Sequence, residues 1–385
     1  MNSNLLVVHG GGPTAVINSS LYGVLVEAKN HKEINKIYGA AGGTQGILDE
    51  KLLLLSDLPQ EEIEKLLQTP ASAIGTSRTP LYEEEYEKMV EVLKKYKIKY
   101  VLFNGGNGTM DTCGKLYDKA KEHGISVIGI PKTIDNDISV TDHCPGFGSA
   151  ARYIAQTVAE IGQDVKSMPI HVSIIEAMGR NAGWITAASA LAKKNDEDAP
   201  HLVYLPECPF NEEKFLEDVQ RMHERHGGVV VVASEGLKDK DGNPIVKPIF
   251  ESERAVYFGD VSTHLAQLVI EKLGIKARSE KPGIAGRASI SLQSKVDRDE
   301  AVQVGKEAVK AALEGKTGVM VGFERTKKNY ECKTLLIPIE EVMLNEKIMP
   351  KNFINAEQNG ITEDFVKWCK PLIGEDLLEF AWFNK

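Results

Sequence analysis

The chain has no apolar run approaching the ~20 residues that a membrane-spanning helix needs, so no membrane role is expected of its 385 residues. The first apolar run, Leu5-Leu6-Val7-Val8, lacks a basic leader and is far too short for a signal segment. Excess positive charge is missing as well. The formal net charge of -9 argues against a nucleic-acid surface, because binding a phosphate backbone needs clustered Lys and Arg that release counterions. Cysteine is scarce: Cys113, Cys144, Cys208, Cys332 and Cys369 are scattered without CxxC spacing, which excludes a disulfide framework or a zinc site. These absences together predict a cytoplasmic protein. There is no solenoid repeat and no low-complexity tract. The GxGxxG pattern of a dinucleotide-dependent dehydrogenase is also missing.

What is present is a recurring strand signal. Short apolar runs that end at glycine or proline, each followed by an amphipathic stretch, read as βα units. Leu5–Val8, Lys99–Phe103 and Ser126–Ile130 form one series, and Val172–Ile175, His201–Leu205 and Gly228–Val232 form a second. A chain of this length exceeds the size at which one hydrophobic core stops growing. The expected fold is α/β, with two doubly wound Rossmann-like domains and the active site in the cleft between them. The larger domain is expected over 1–146, with a returning segment near 288–336. The smaller is expected over 147–287, and 337–385 is expected to be a C-terminal extension packing on both. Helices are expected from Val16, from Ser149 to about Gly162, and from Asp299 to Glu314, with a surface hairpin or loop at 238–248.

Three loops carry chemistry. Gly10-Gly11-Gly12-Pro13-Thr14 follows the first strand and precedes a helix, so backbone N–H groups and a positive helix end are available to a phosphate. Gly105-Gly106-Asn107-Gly108-Thr109 repeats the arrangement. Its small residues let the backbone approach a polyphosphate, while Asn107 and Thr109 offer hydrogen bonds to phosphate oxygens or metal-bound water. Pro131-Lys132-Thr133-Ile134-Asp135-Asn136-Asp137 follows a third strand. One carboxylate there can accept a hydroxyl proton while the lysine offsets phosphate charge, the division of labour that phosphoryl transfer needs.

With GTSR at 75–78, PGFGSA at 145–150, EAMGRNAGW at 176–184, SEG at 234–236 and KPGIAGR at 281–287, these loops resemble the phosphofructokinase family over most of the chain. The resemblance implies a phosphotransferase acting on fructose 6-phosphate, with the larger domain holding the phosphoryl donor and the smaller one the sugar phosphate. It implies Asp135 as catalytic base, with Thr133 orienting it, Asp137 supporting it and Lys132 beside them. Met178, Gly179 and Arg180 match the acceptor loop, Arg180 stabilising the transferring phosphoryl group. Glu235 matches a ligand of sugar hydroxyls, and Arg278 and Arg287 match arginines that clasp the 6-phosphate. Gly12, Arg78, Gly106, Asn107, Gly108 and Thr109 are the expected donor contacts. Asn107 and Asp137 are the expected ligands of Mg²⁺. A homodimer or homotetramer is implied as well, while the charge and the short apolar runs lead to no expectation of nucleic-acid or membrane partners.

The donor is read from three positions. Lys132 and Asn107 match the pyrophosphate-using branch, whereas Gly108 lacks the carboxylate that would block a nucleotide's α-phosphate. The expectation drawn is ATP, with pyrophosphate as the alternative. At the acceptor end Ile284 and His171 stand where the bacterial pattern has histidine and arginine, which keeps sedoheptulose 7-phosphate open as a further acceptor. A regulatory homologue that senses nucleotides without catalysis is the non-enzymatic alternative. Retention of Asp135, Asp137, Thr133 and Arg180 together speaks against it.

Overall fold

The computed structural model describes residues 3–252, 255–326 and 330–384. In chain order its strands are β1 (Ser3–His9), β2 (Ile34–Ala40), β3 (Leu52–Leu54), β4 (Ile98–Gly105), β5 (Ser126–Pro131), β6 (Val172–Ala177), β7 (Leu202–Tyr204), β8 (Val229–Ser234), β9 (Pro248–Ser252), β10 (Ala255–Phe258), β11 (Ala277–Glu280), β12 (Val319–Arg325) and β13 (Cys332–Pro338). They lie in two compact units. One comprises the chain up to Phe147 together with Arg287–Lys347, and the other comprises Gly148–Gly286 and the chain from Ile348 onward.

The first unit is a seven-stranded sheet in the order β13-β12-β5-β4-β1-β2-β3. Its central strands run parallel, while β3 and β13 are antiparallel edges. The apolar runs have a simple cause: both faces of this sheet are covered, so successive residues of a central strand are buried on alternate faces, as along Leu5–Val8 and Tyr100–Phe103. Leu6, Val8, Val101 and Phe103 pack into a core on one face. Leu5, Val7, Tyr100 and Leu102 pack into another on the opposite face. β13 runs through the boundary expected at residue 337, and the chain changes unit only after Lys347.

The second unit holds a four-stranded parallel sheet in the order β11-β6-β8-β7, with β9 and β10 as a separate antiparallel pair. Its core gathers Val172, Ile174, Val229 and Val231 with Phe215 and Leu265 from covering helices. Trp184 belongs to an aromatic cluster with Phe353, Phe365 and Trp368 from the C-terminal segment of the same unit. The 238–248 stretch is a turn in which the Asp239 carboxylate accepts the amides of Asp241 and Asn243.

Helices begin where the sequence offers caps or glycine turns. They run over Ile17–Ala28, Asn107–Ala120, Phe147–Ser167 and Lys295–Leu313. Ser294 caps the last of these by accepting the Asp297 amide, a contact of the kind worth about 1 kcal/mol. Among the described residues, no helix is long and apolar enough to cross a membrane.

Candidate active site

In the first unit the three sequence loops leave the C-terminal ends of β1, β4 and β5, which are neighbours in the sheet. Ligands collect at such ends in open parallel sheets. The glycine turn after β1 is stitched to the GTSR segment. The Gly11 amide donates to the Ser77 carbonyl at 3.1 Å, and the Thr76 hydroxyl donates to the Gly11 carbonyl at 2.8 Å. Gly11 has φ 75°, a conformation natural to glycine. The turn after β4 enters its helix at once, with Gly106 as cap and Asn107 as first helical residue. The Lys132 amide, leaving β5, donates to the Gly105 carbonyl at 2.9 Å. Thr109 is buried, and a Cβ at either Gly10 or Gly105 would collide with its hydroxyl. Thr109 thus acts as the spacer between two glycine turns.

Cationic groups gather on the first turn. Lys132 is only 3% exposed, and its ammonium donates to the Gly12 carbonyl at 2.6 Å. Arg287 and Arg78 close over the same glycine: a Cβ at Gly12 would lie 2.8 Å from Arg287 Nη1 and 3.4 Å from Arg78 Nη2. Burial first, and the two arginines against the pull of Asp135 and Asp137, lower the Lys132 ammonium to about 8. The sequence grouped Arg287 with Arg278 around a sugar phosphate. The structure places Arg287 with Arg78 and Lys132 on the glycine turn, while Arg278 sits on β11 in the second unit. His9, immediately before Gly10, carries no motif that would single it out in the sequence. Its Nδ1 pairs with the Ser72 hydroxyl at 2.7 Å. Burial and then Lys132 lower it to about 3, so this imidazole is neutral.

The loop after β5 is held by its own side chains. Thr133 Oγ1 accepts the Asp135 amide at 3.1 Å and donates to Asp137 Oδ1 at 3.4 Å. Asn136, between the two carboxylates, is left-handed with φ 53°, a conformation that asparagine tolerates better than most residues. Its buried Oδ1 accepts the Cys144 amide at 3.0 Å. Asn107 Nδ2 donates to the Asp137 carbonyl at 3.4 Å, leaving Asn107 Oδ1 buried without a hydrogen-bond partner among the described residues. Gly108 faces open space, with no atom of the described residues within 4 Å of a Cβ placed there. Lys347 also reaches this loop, and no motif in the sequence pointed to it.

In the second unit, β6 runs into Met178-Gly179-Arg180 and β8 into Glu235. One carboxylate oxygen of Glu235 accepts the amides of Gly179 at 3.1 Å and Arg180 at 3.0 Å. That oxygen is therefore committed to shaping the 178–180 loop. Arg180 is exposed and left-handed at φ 53°. Its carbonyl packs so tightly on Gly236 that no Cβ could stand there. Arg278 is exposed beside buried His171, whose imidazole is held below its ordinary range by burial and then by Arg278. Ile284 is exposed.

A further cluster in the first unit brings together Asp142, His143 and Cys332, with ligand atoms within 4.8 Å of one another. Its groups are already paired as an ion network. His143 bonds Asp142 at 2.9 Å and Glu300 at 2.7 Å, and Arg325 takes Asp142 Oδ2 at 3.0 Å.

Residues 4–312 match the phosphofructokinase family. The chain belongs to that family. This phosphofructokinase-family chain is 41% identical to the pyrophosphate–fructose 6-phosphate 1-phosphotransferase of Xanthomonas campestris pv. campestris, over 99% of this chain and 94% of the other. It is 37% identical to the protein of the same name from Rhodospirillum rubrum, over 97% and 95%. The crystal structure of the pyrophosphate-dependent phosphofructokinase from Marinobacter aquaeolei superposes with a TM-score of 0.89 at 38% identity, covering 99% of this chain and 94% of that one. As a phosphofructokinase-family member with these two α/β units, the protein is a phosphotransferase with an alcohol group as acceptor.

These relatives overturn the expectation of ATP, since all three are named for pyrophosphate. The error lay in the weight given to Gly108. Open space at that position removes an obstacle to a nucleotide but supplies no contact that would favour one. Lys132, by contrast, places a buried ammonium on the Gly12 carbonyl.

Proposed function

We propose that this protein transfers a phosphoryl group from pyrophosphate to the 1-hydroxyl of fructose 6-phosphate, giving fructose 1,6-bisphosphate and inorganic phosphate. The observation that carries the reading is the buried Lys132 ammonium on the Gly12 carbonyl, with Arg78 and Arg287 against the same glycine. Three cations on a glycine turn suit a small ligand whose whole surface is phosphate oxygen. Two of them are arginines, whose forked donors pair with phosphate bidentately. The names of the relatives support the same donor and acceptor.

In this reading Asp135 takes the proton of the sugar 1-hydroxyl as that oxygen forms its bond to phosphorus and the bridging P–O bond of pyrophosphate breaks. Thr133 fixes the Asp135 backbone and touches Asp137. Lys132, Arg78 and Arg287 stabilise the departing phosphate. Gly12, Gly106 and Gly108 leave room for the donor to approach the backbone. Arg180 stabilises the transferring group, while Met178, Gly179 and Glu235 hold the sugar and Arg278 its 6-phosphate. Asn107 and Asp137 fit Mg²⁺, because Asn107 Oδ1 is a buried oxygen without a partner among the described residues and hard cations take such ligands. Bound there, the ion would neutralise phosphate oxygens and orient the donor.

Initial rates with Mg²⁺ and fructose 6-phosphate, with pyrophosphate or ATP as donor, test the proposal. Turnover with pyrophosphate is expected. Turnover confined to ATP would sink it. Asp135→Asn in the same assay is expected to lower kcat by roughly 10²–10⁴ with little change in KM for pyrophosphate.

A further inference from the structure

Lys347 is a half-buried charge that this mechanism leaves unused. It lies beyond the residues 4–312 matched to the family, in the segment that follows β13. Its ammonium donates to Asn136 Oδ1 at 3.3 Å, to the Thr141 carbonyl at 3.2 Å and to the Asp142 carbonyl at 2.9 Å. Three acceptors from one loop match the three N–H groups of an ammonium. The backbone joins in: the Lys347 amide donates to the Asp137 carbonyl at 2.8 Å, and Glu346 forms an antiparallel bridge with Ile138. Withdrawing a cation from water is costly unless it is paired and hydrogen-bonded. Burial accordingly pulls this ammonium below the ordinary lysine range, against the opposing pull of Cys144, Asp142 and Asp137.

The loop that receives these contacts is the one carrying Asp135 and Asp137. Asn136, between them, is left-handed, and its Oδ1 holds both Lys347 and the Cys144 amide. We propose that Lys347 is a positioning residue for phosphoryl transfer, fixing the 135–142 loop through Asn136 so that Asp135 and Asp137 keep their places on either side of it. The proposal rests on the reading of Asp135 as catalytic base. Its physical logic is that small misplacements of a catalytic group cost large factors in rate while ground-state binding changes little.

The test uses the full chain with Lys347→Met, Lys347→Arg, Asn136→Ala and the Lys347→Met/Asn136→Ala double variant, assayed well below each variant's Tm. Lys347→Met is expected to lower kcat about ten- to a hundredfold, the range that misplacement alone produces. KM for both substrates should stay within about threefold, since uniform binding is untouched. Lys347→Arg, which keeps a cation with several donors, should recover part of kcat. The double variant should lose less than the product of the two single losses, because both act through one contact. Amide hydrogen exchange should accelerate within 134–144 ahead of the rest of the unit. Exposed Lys333→Met should change none of these readings.

An unchanged kcat with unchanged exchange in 134–144 would overturn the proposal. So would a loss of kcat that is fully multiplicative with Asn136→Ala. The assay uses whichever donor supports wild-type turnover, so failure of pyrophosphate as donor leaves the test of Lys347 intact. If Lys347→Met does not fold, Lys347→Arg and Asn136→Ala carry the kinetic comparison. The exchange measurement needs no turnover at all.

Discussion

The ammonium of Lys132 donates to the carbonyl oxygen of Gly12 at 2.6 Å, tying the end of β5 to the glycine turn after β1. The contact buries a cation where a phosphate donor is proposed to lie, and it makes that cation's charge sensitive to pH.

Lys132 is lowered to about 8 by burial and by its arginine neighbours. Above that pH the free enzyme loses the charge, so kcat/KM for pyrophosphate should show an alkaline limb near pH 8. Lys132→Arg keeps its charge at any accessible pH and should remove that limb, whatever its effect on the plateau. A profile identical in the two proteins would show that Lys132 does not govern donor capture.

Gly12→Ala tests the arginine pair without removing a charge. The new methyl would stand 2.8 Å from Arg287 Nη1 and 3.4 Å from Arg78 Nη2, so the flexible guanidinium ends must move. A several-fold rise in KM for pyrophosphate is expected, with near-normal Tm and unchanged KM for fructose 6-phosphate. A rise confined to the sugar phosphate would instead return Arg287 to the acceptor role read from the sequence.

His9 makes acid stability depend on a group outside the proposed chemistry. Its native pKa is lowered to about 3, so the unfolded chain takes up a proton that the native state refuses. The stability it contributes is fully present above pH 6.5 and is lost as pH falls towards 3, at about 1.4 kcal/mol per pH unit. His9→Gln should flatten the slope of unfolding free energy against pH over that range. An equal slope in both proteins would show that His9 is not the group responsible.

His143 works in the other direction. Burial opposes its charge, but Glu300 and Asp142 outweigh burial and hold the imidazole above its ordinary range. Arg325, on Asp142, Tyr330, on Glu300, and Phe323, stacked on the ring, lie beside it. The stability from this raised pKa is fully present below about pH 6.5 and is lost as pH rises through the native pKa. Urea unfolding of wild type and His143→Gln should therefore diverge most at the acid end and converge at alkaline pH.

Much of the fold was legible because both sheets have apolar residues on both faces. The runs at Leu5–Val8, Lys99–Phe103 and Val172–Ile175 all became central strands. The edge strands β3 and β13 were not legible. Leu53 and Leu54 are exposed, and β13 is only partly buried, so neither carries the pattern of a two-sided core. The donor was not legible, because Gly108 only leaves room for a nucleotide and nothing in the sequence shows that Lys132 is buried.

The sequence by itself determined which loops follow which strands, and hence that the turns carrying Gly12, Gly106 and Lys132 with Asp135 and Asp137 each leave the end of a strand. Local chain connectivity suffices for that, because a strand and its following loop are neighbours by covalent necessity. Only the tertiary structure decided that Arg287 lies on the Gly12 turn, that one oxygen of Glu235 is spent on the Gly179 and Arg180 amides, and that Lys347 reaches Asn136. These contacts join residues far apart in the chain. Their energy comes from burying charge against specific carbonyls and carboxylates, and no periodicity or spacing records such a partner.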